Sequence, residues 1–295
     1  MRYAICNELL GGRSFADACD LVARAGFEGI EIAPYTLAED PGTIDIIAAR
    51  GIRRIMRDAG LACAGLHWLL TAPAGLHLVH PDPDSRSRSW DLLHRLVDLC
   101  GELEGDVLVL GSGKQRGQTE GVSTAEARGV LRDGLGRLGV SCERAGVSLL
   151  LEPLPARITS SINTLEEARS LVSDIGHPRI ASMFDFHNCE DETLSWARLI
   201  GKYRDLIRHV HLNDRSGGFP SLPELDPEQR AAFAAAFRTL RTIGYQGWIS
   251  LEVFDVDEPA ETVLHATRSF LSWTEDQSGS GVPATEYRTD RPPDP

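Results

Sequence analysis

ERAGVSLLLEPL, residues 143–154, decides the fold. A helix-like segment runs into Ala145-Gly146, where the glycine accepts the left-handed backbone that ends a helix. VSLLLE follows, an apolar run too short for a helix, closing on an acid at Glu152. A strand that is apolar without alternation suits burial on both faces, which a parallel sheet covered by helices provides.

The pattern recurs in both directions along the chain. Strands are predicted at Tyr3–Asn7, Gly29–Ala33, Ala62–His67, Asp106–Leu110, Val147–Glu152, Ile180–Asp185, Arg208–Asn213 and Trp248–Val253. Helical stretches fall near 14–25, 43–59, 85–103, 124–145, 165–175, 193–205, 227–243 and 258–274. Ala25-Gly26, Ala59-Gly60 and Ile243-Gly244 repeat the glycine stop, and Thr164 with Glu167 has the spacing of a capping box. Eight βα units in 295 residues predict a single (β/α)8 TIM barrel over residues 1–276, in preference to an open doubly wound sheet. Residues 277–295 lose apolar periodicity and fill with Pro, Gly, Ser and charge, which predicts a disordered C-terminal tail.

The formal net charge of -13, with no long Lys/Arg run, makes nucleic acid an unexpected partner. Six cysteines are scattered without a CxxC pair or a compact disulfide or zinc spacing, so reduced thiols are expected. MRYAICNELL has none of the features of a signal peptide, and no apolar run approaches the roughly 20 residues that span a bilayer. A cytoplasmic enzyme without membrane contact is the expectation.

In a barrel of this kind the active site forms at the carboxyl ends of the strands. Four consecutive strands end in ionisable residues: VSLLLE on Glu152, IASMFD on Asp185, RHVHLN with His211, and WISLEV with Glu252. One acid at a strand end pairs readily with a nearby arginine. Several converging on one partly desolvated mouth repel one another unless a cation compensates them. Three carboxylates and one imidazole form a mostly hard donor set, suited to Mn2+ or Mg2+, with Co2+ or Zn2+ as alternatives.

GFEGIEIAP (26–34), LLLEPL (149–154) followed by Asn163-Thr164, MFDFHN (183–188), HVHLND (209–214) and GYQGWISLEV (244–253) carry a resemblance. Over roughly residues 1–275 the chain resembles the xylose-isomerase-like barrel superfamily, in its sugar phosphate isomerase/epimerase branch, which includes the ketose 3-epimerases. The resemblance implies one divalent ion held by Glu152, Asp185, His211 and Glu252, with Glu152 and Glu252 as acid and base. It implies an isomerase or epimerase of a sugar, a sugar phosphate or a related polyhydroxy ketone, working by glutamate-mediated proton transfer through a stabilised enediolate. The branch also admits a homodimer. Ketose 3-epimerases resembling this chain usually carry a glutamate where it has Ile158, a histidine where it has Asn188, with His187 beside it, and an arginine where it has Gly217, with Arg215 nearby. A lyase resembling 3-dehydroshikimate dehydratases is the alternative on the same scaffold. An endonuclease IV-like hydrolase needs more histidine ligands and a basic face.

Residues expected at the substrate are His187, in line with Asp185 if the strand continues; His67 and Trp68, ending the third strand; Lys114 and Arg116, in the loop GSGKQRGQ at 111–118; and Arg157 and Arg215. That loop suits a phosphate or carboxylate but is not a Walker A motif. His209 is expected deeper in the barrel, and Cys189 beside His187 has no third group to make it a nucleophile.

Overall fold

The computed structural model describes residues 1–253 and 256–277. The predicted tail, from residue 278 on, lies outside the described residues. Eight parallel strands close in chain order: β1 (Arg2–Cys6), β2 (Gly29–Ile32), β3 (Ala62–Leu66), β4 (Val107–Leu110), β5 (Ser148–Leu151), β6 (Ile180–Asp185), β7 (Ile207–Leu212) and β8 (Trp248–Leu251). Closure runs through Tyr3 opposite Ile249 and Ala4 opposite Ser250. Around them lie α1 (Phe15–Arg24), α2 (Ile46–Asp58), α3 (Pro83–Glu102), α4 (Gly113–Arg116), α5 (Thr124–Ala145), α6 (Leu165–Ile175), α7 (Trp196–Lys202), α8 (Pro227–Thr242) and α9 (Ala260–Asp276). The single (β/α)8 barrel is as expected. Among the described residues no helix is long and apolar enough to cross a membrane.

Local chemistry sets the element ends. Gly26, Gly60, Gly146 and Gly244 all adopt positive φ, between 70° and 84°, where the chain leaves a helix for the next strand. Capping boxes open α5, through Ser123 and Glu126, and α8, through Asp226 and Gln229. At α6 the expected box is only half made. Thr164 accepts from the Glu167 N–H at 3.2 Å, but the Glu167 carboxylate reaches back to the Asn163 N–H at 2.7 Å instead.

Two differences from the sequence-based expectation bear on the site. β5 and β8 stop at Leu151 and Leu251, so Glu152 and Glu252 stand one residue beyond the strands. Each still donates its backbone N–H to the preceding strand, Glu152 to Leu110 at 3.3 Å and Glu252 to Leu212 at 3.1 Å. The side chains are therefore anchored while leaving the ladder. The loop at 111–118 also contains a helical turn, α4, entered through Ser112 at φ 41°.

The opposite end of the barrel is filled by Trp248, 2% exposed and packed with Ala4 and Ala64. Its Nε1 donates to Asp106 Oδ2 at 2.7 Å, and the Arg2 guanidinium lies 4.1 Å from the ring centroid. Glycine is required at position 29, because a Cβ there would stand 2.7 Å from the indole. Burying a ring of this size contributes roughly 4–6 kcal/mol.

Candidate active site

The ends of β5 to β8 bring Glu152, Asp185, His211 and Glu252 together. Each offers a ligand atom within 4.8 Å of the others, and all four residues are buried. His211 Nδ1 lies 3.1 Å from Glu252 Oε2 and 3.7 Å from Asp185 Oδ2. Because β6 ends at Asp185, the chain turns there, and the backbone N–H groups of His187 and Asn188 donate to Asp185 Oδ1 at 2.6 and 2.8 Å. The Asn188 side chain donates to Glu152 Oε1 at 3.1 Å. Asn213 Nδ2 sits 3.4 and 3.3 Å from the two Asp185 oxygens. Gly111 gives Glu152 its room, since a Cβ there would collide with Glu152 Oε2.

The surroundings push the two glutamates apart. Burial, then the charges of Glu252 and Asp185, outweigh His211 and Arg116 and push Glu152 up to about 8. Burial also works to raise Glu252, but His211 and His67 hold its carboxyl well below the usual range. His211 is raised well above an ordinary imidazole, its burial outweighed chiefly by Glu252 and Glu31.

The donor set fits a divalent cation. Three carboxylates and an imidazole are buried in one cluster, and the His211 Nδ1 facing them makes no aligned hydrogen bond. A cation would neutralise carboxylates that are otherwise costly to keep ionised together out of water.

Two acids that sequence reasoning missed support the site. His67 bridges Glu252 Oε1, 3.2 Å from its Nδ1, and Glu8 Oε2, 3.0 Å from its Nε2. Burial disfavours the His67 imidazolium, but Glu8 and the hydrogen bonds of both glutamates push it up to about 10. Glu8 stands in the 3-10 turn Asn7–Leu10 that follows β1. Glu31, inside β2 and fully buried, lies 2.8 Å from His209 Nε2 and 3.2 Å from His211 Nε2. The only signals were an acid just past a strand and one within an apolar run.

Above the acids opens a cavity of about 500 Å3, with Trp68, Lys114, Arg157 and His187 in its wall, together with Leu154 and Ile158. His187 lines it although the strand does not continue that far, and its Nδ1 is 2.9 Å from the Arg215 carbonyl. Trp68 and Ser112, both in this wall, hold φ of 51° and 41°, a strain on the order of 1–3 kcal/mol each.

Geometry gives three of the residues expected at the substrate other partners. Arg116 is fully buried below the wall, donating to the carbonyls of Gly111 and Glu152 at 2.6 Å each and to that of Ser161. It braces the backbone of Glu152. Arg215 lines neighbouring cavities instead, its guanidinium 5.3 Å from the Trp196 ring. His67 borders the cavity with both ring nitrogens already committed to carboxylates. Arg157 stays in the wall but is paired with Glu190 at 2.8 Å.

A family model described as xylose isomerase-like TIM barrel matches residues 19–273. The 3-dehydro-D-guloside 4-epimerase of Escherichia coli is 33% identical over 148 residues, which is 50% of this chain and 52% of that protein. The chain thus aligns with about half the length of that relative. The probable ketose 3-epimerase of Synechocystis sp. is 23% identical over 85% of this chain and 82% of its own. Among solved structures, an E. coli 3-keto-D-glucoside 4-epimerase superposes with a TM-score of 0.76 at 22% identity, covering 94% of this chain and 99% of its own. An L-ribulose 3-epimerase does so with a TM-score of 0.79 at 20% identity, covering 94% and 95%.

Proposed function

This chain belongs to the xylose isomerase-like TIM barrel family, and from that premise we propose that it is a divalent-metal-dependent epimerase of a keto sugar. The observation that carries the proposal is the convergence of Glu152, Asp185, His211 and Glu252 within 4.8 Å, with both glutamates in the wall of one cavity. The names of its relatives, sugar epimerases throughout, support the substrate class.

Glu152, Asp185, His211 and Glu252 would hold the ion. When bound, such a cation polarises a carbonyl and a neighbouring hydroxyl of the substrate and so acidifies the C–H beside the carbonyl. Hardness of the donors favours Mn2+ or Mg2+, with Co2+ or Zn2+ as alternatives. Glu252, bonded to His67, takes the proton from the carbon beside the carbonyl. Glu152, in the wall of the same cavity, returns one from its own side. Their roles exchange in the reverse direction. Asn188, bonded to Glu152, and His67, bonded to Glu252, hold the two carboxyls in place during the transfer.

The site of inversion has two readings, at the 3-position of a free ketose or beside the keto group of a keto-glycoside. The wall of Trp68, Leu154 and Ile158 favours the second, because it offers an apolar surface to a glycosidic substituent in a cavity roomier than one hexose requires. A cytoplasmic location is supported by six free cysteines. The test is NMR in heavy water on ketoses, their phosphates and keto-glycosides, with the protein loaded with Mn2+ or Mg2+. Solvent deuterium at the carbon beside the carbonyl, with an inverted product, is expected. Loss of water from the substrate would instead mark a lyase, and conversion without label would mark hydride transfer.

A further inference from the structure

Glu31 lies within GFEGIEIAP, at the third position of β2, and is fully buried. It takes no part in the cation cluster of Glu152, Asp185, His211 and Glu252 or in the cavity wall. Its partners are His209 and His211 of β7. β2 and β7 are not neighbours in the barrel, so these bonds cross its interior. An ionised carboxylate only accepts, so both imidazoles present their Nε2–H to it. The Nδ1 of His211, the atom facing Asp185 and Glu252, is thereby the nitrogen that would give up its proton to ligate an ion.

Stability alone is a weak reason to keep this arrangement. Buried ionic groups are often replaced by well-packed apolar residues at no cost or with a gain. A carboxylate behind a histidine ligand, by contrast, fixes the tautomer and ring orientation of the imidazole and raises its basicity. We infer that Glu31 is a positioning residue, which acts through His211 to set the tautomer that binds the ion, with His209 as the second donor holding the carboxylate in register. The inference rests on the cation reading of the site.

Glu31→Gln keeps the shape but changes the hydrogen bonding. Its amide accepts from one imidazole and presents N–H to the other, so one of the two histidines must switch tautomer. The test is a Mn2+ titration of parent and variant followed by the EPR signal of free Mn2+, alongside circular dichroism and thermal melting. Affinity weaker by roughly 10–100-fold in a variant that remains folded is expected. A folded variant that binds Mn2+ as tightly as the parent overturns the inference, even if its melting temperature falls, because that pattern is purely structural.

Should the variant fail to fold, ring 15N shifts of the parent loaded with Zn2+, a diamagnetic stand-in, decide the matter. Nε2 of His211 protonated and Nδ1 shifted by the zinc it ligates supports the inference; Nε2 without its proton overturns it. A parent that binds no Mn2+ overturns it together with the cation reading, whereas a tight parent and an unaffected variant overturn the role of Glu31 alone.

Discussion

Glu152 and Glu252 hold carboxylate oxygens within 4.8 Å of each other, yet the barrel favours the protonated form of one and the ionised form of the other. The difference lies in their neighbours. Glu252 touches two imidazoles, whereas Glu152 receives the side-chain amide of Asn188 and stands near the Arg116 guanidinium, which is spent on carbonyls. Environments that separate two acids in this way suit them to opposite halves of a proton transfer.

The protein is expected to bind one divalent ion, and chelation is expected to lower its melting temperature. A ligand at about a hundred times its Kd stabilises the native state by roughly 2.7 kcal/mol, equivalent to about 4–5 °C in a chain of this size. Elemental analysis and melting curves with and without EDTA and added Mn2+ check this. A double variant, Glu152→Gln with Asp185→Asn, that retains as much metal as the parent would place the ion elsewhere.

Replacing either glutamate by glutamine removes an acid–base group and a charged ligand together. Turnover and solvent deuterium incorporation are each expected to fall by at least about 10²–10⁴-fold. Undiminished exchange in both variants would take these residues out of the mechanism.

The same Glu152→Gln change should stabilise the metal-free protein in a pH-dependent way. The folded-state pKa of Glu152 is raised, to about 8, so the parent loses stability as pH climbs from the ordinary glutamate range towards 8, where the unfolded chain is ionised and the folded one resists. The gain in melting temperature from glutamine should therefore grow over that window and level off above it. A gain that shrinks with rising pH would mean that the fold favours the ionised form of Glu152 instead.

Arg116→Lys keeps the charge but not the planar fork that serves three carbonyls. Leaving buried carbonyls unpaired costs about 1–3 kcal/mol each. A melting temperature lower by several degrees and a reduced kcat, through displacement of Glu152, are expected. A change confined to the KM of anionic substrates would instead return Arg116 to a binding role.

Ile158→Asp puts a charge into the apolar wall. An aliphatic side chain that covers a substituent is worth about 1.5–3 kcal/mol, so KM for a keto-glycoside with an aryl or alkyl group should rise about tenfold or more. The unsubstituted keto sugar should be far less affected. Equal effects on both substrates would show that no substituent rests on Ile158.

Much of the fold was legible in the chain itself. Apolar runs such as SLLL and IASMFD, separated by amphipathic helices and glycine stops, specify a parallel barrel because backbone period and the left-handed stop are local properties. The position of Glu152, Asp185, His211 and Glu252 at strand ends follows from the same local pattern once the barrel is closed, since its strands all deliver their carboxyl ends to one face. What only the tertiary structure decided is which polar groups meet across the barrel. Glu31 is separated from His209 by 178 residues and Glu8 from His67 by 59, and nothing in either segment announces the other. Arg116, read as a cation beside a substrate loop, became a backbone brace because the turn at Ser112 folds its side chain inward beneath the cavity. Periodicity and chain stops are written residue by residue, whereas the partner of a buried charge is chosen by whichever strand the closed barrel sets opposite it.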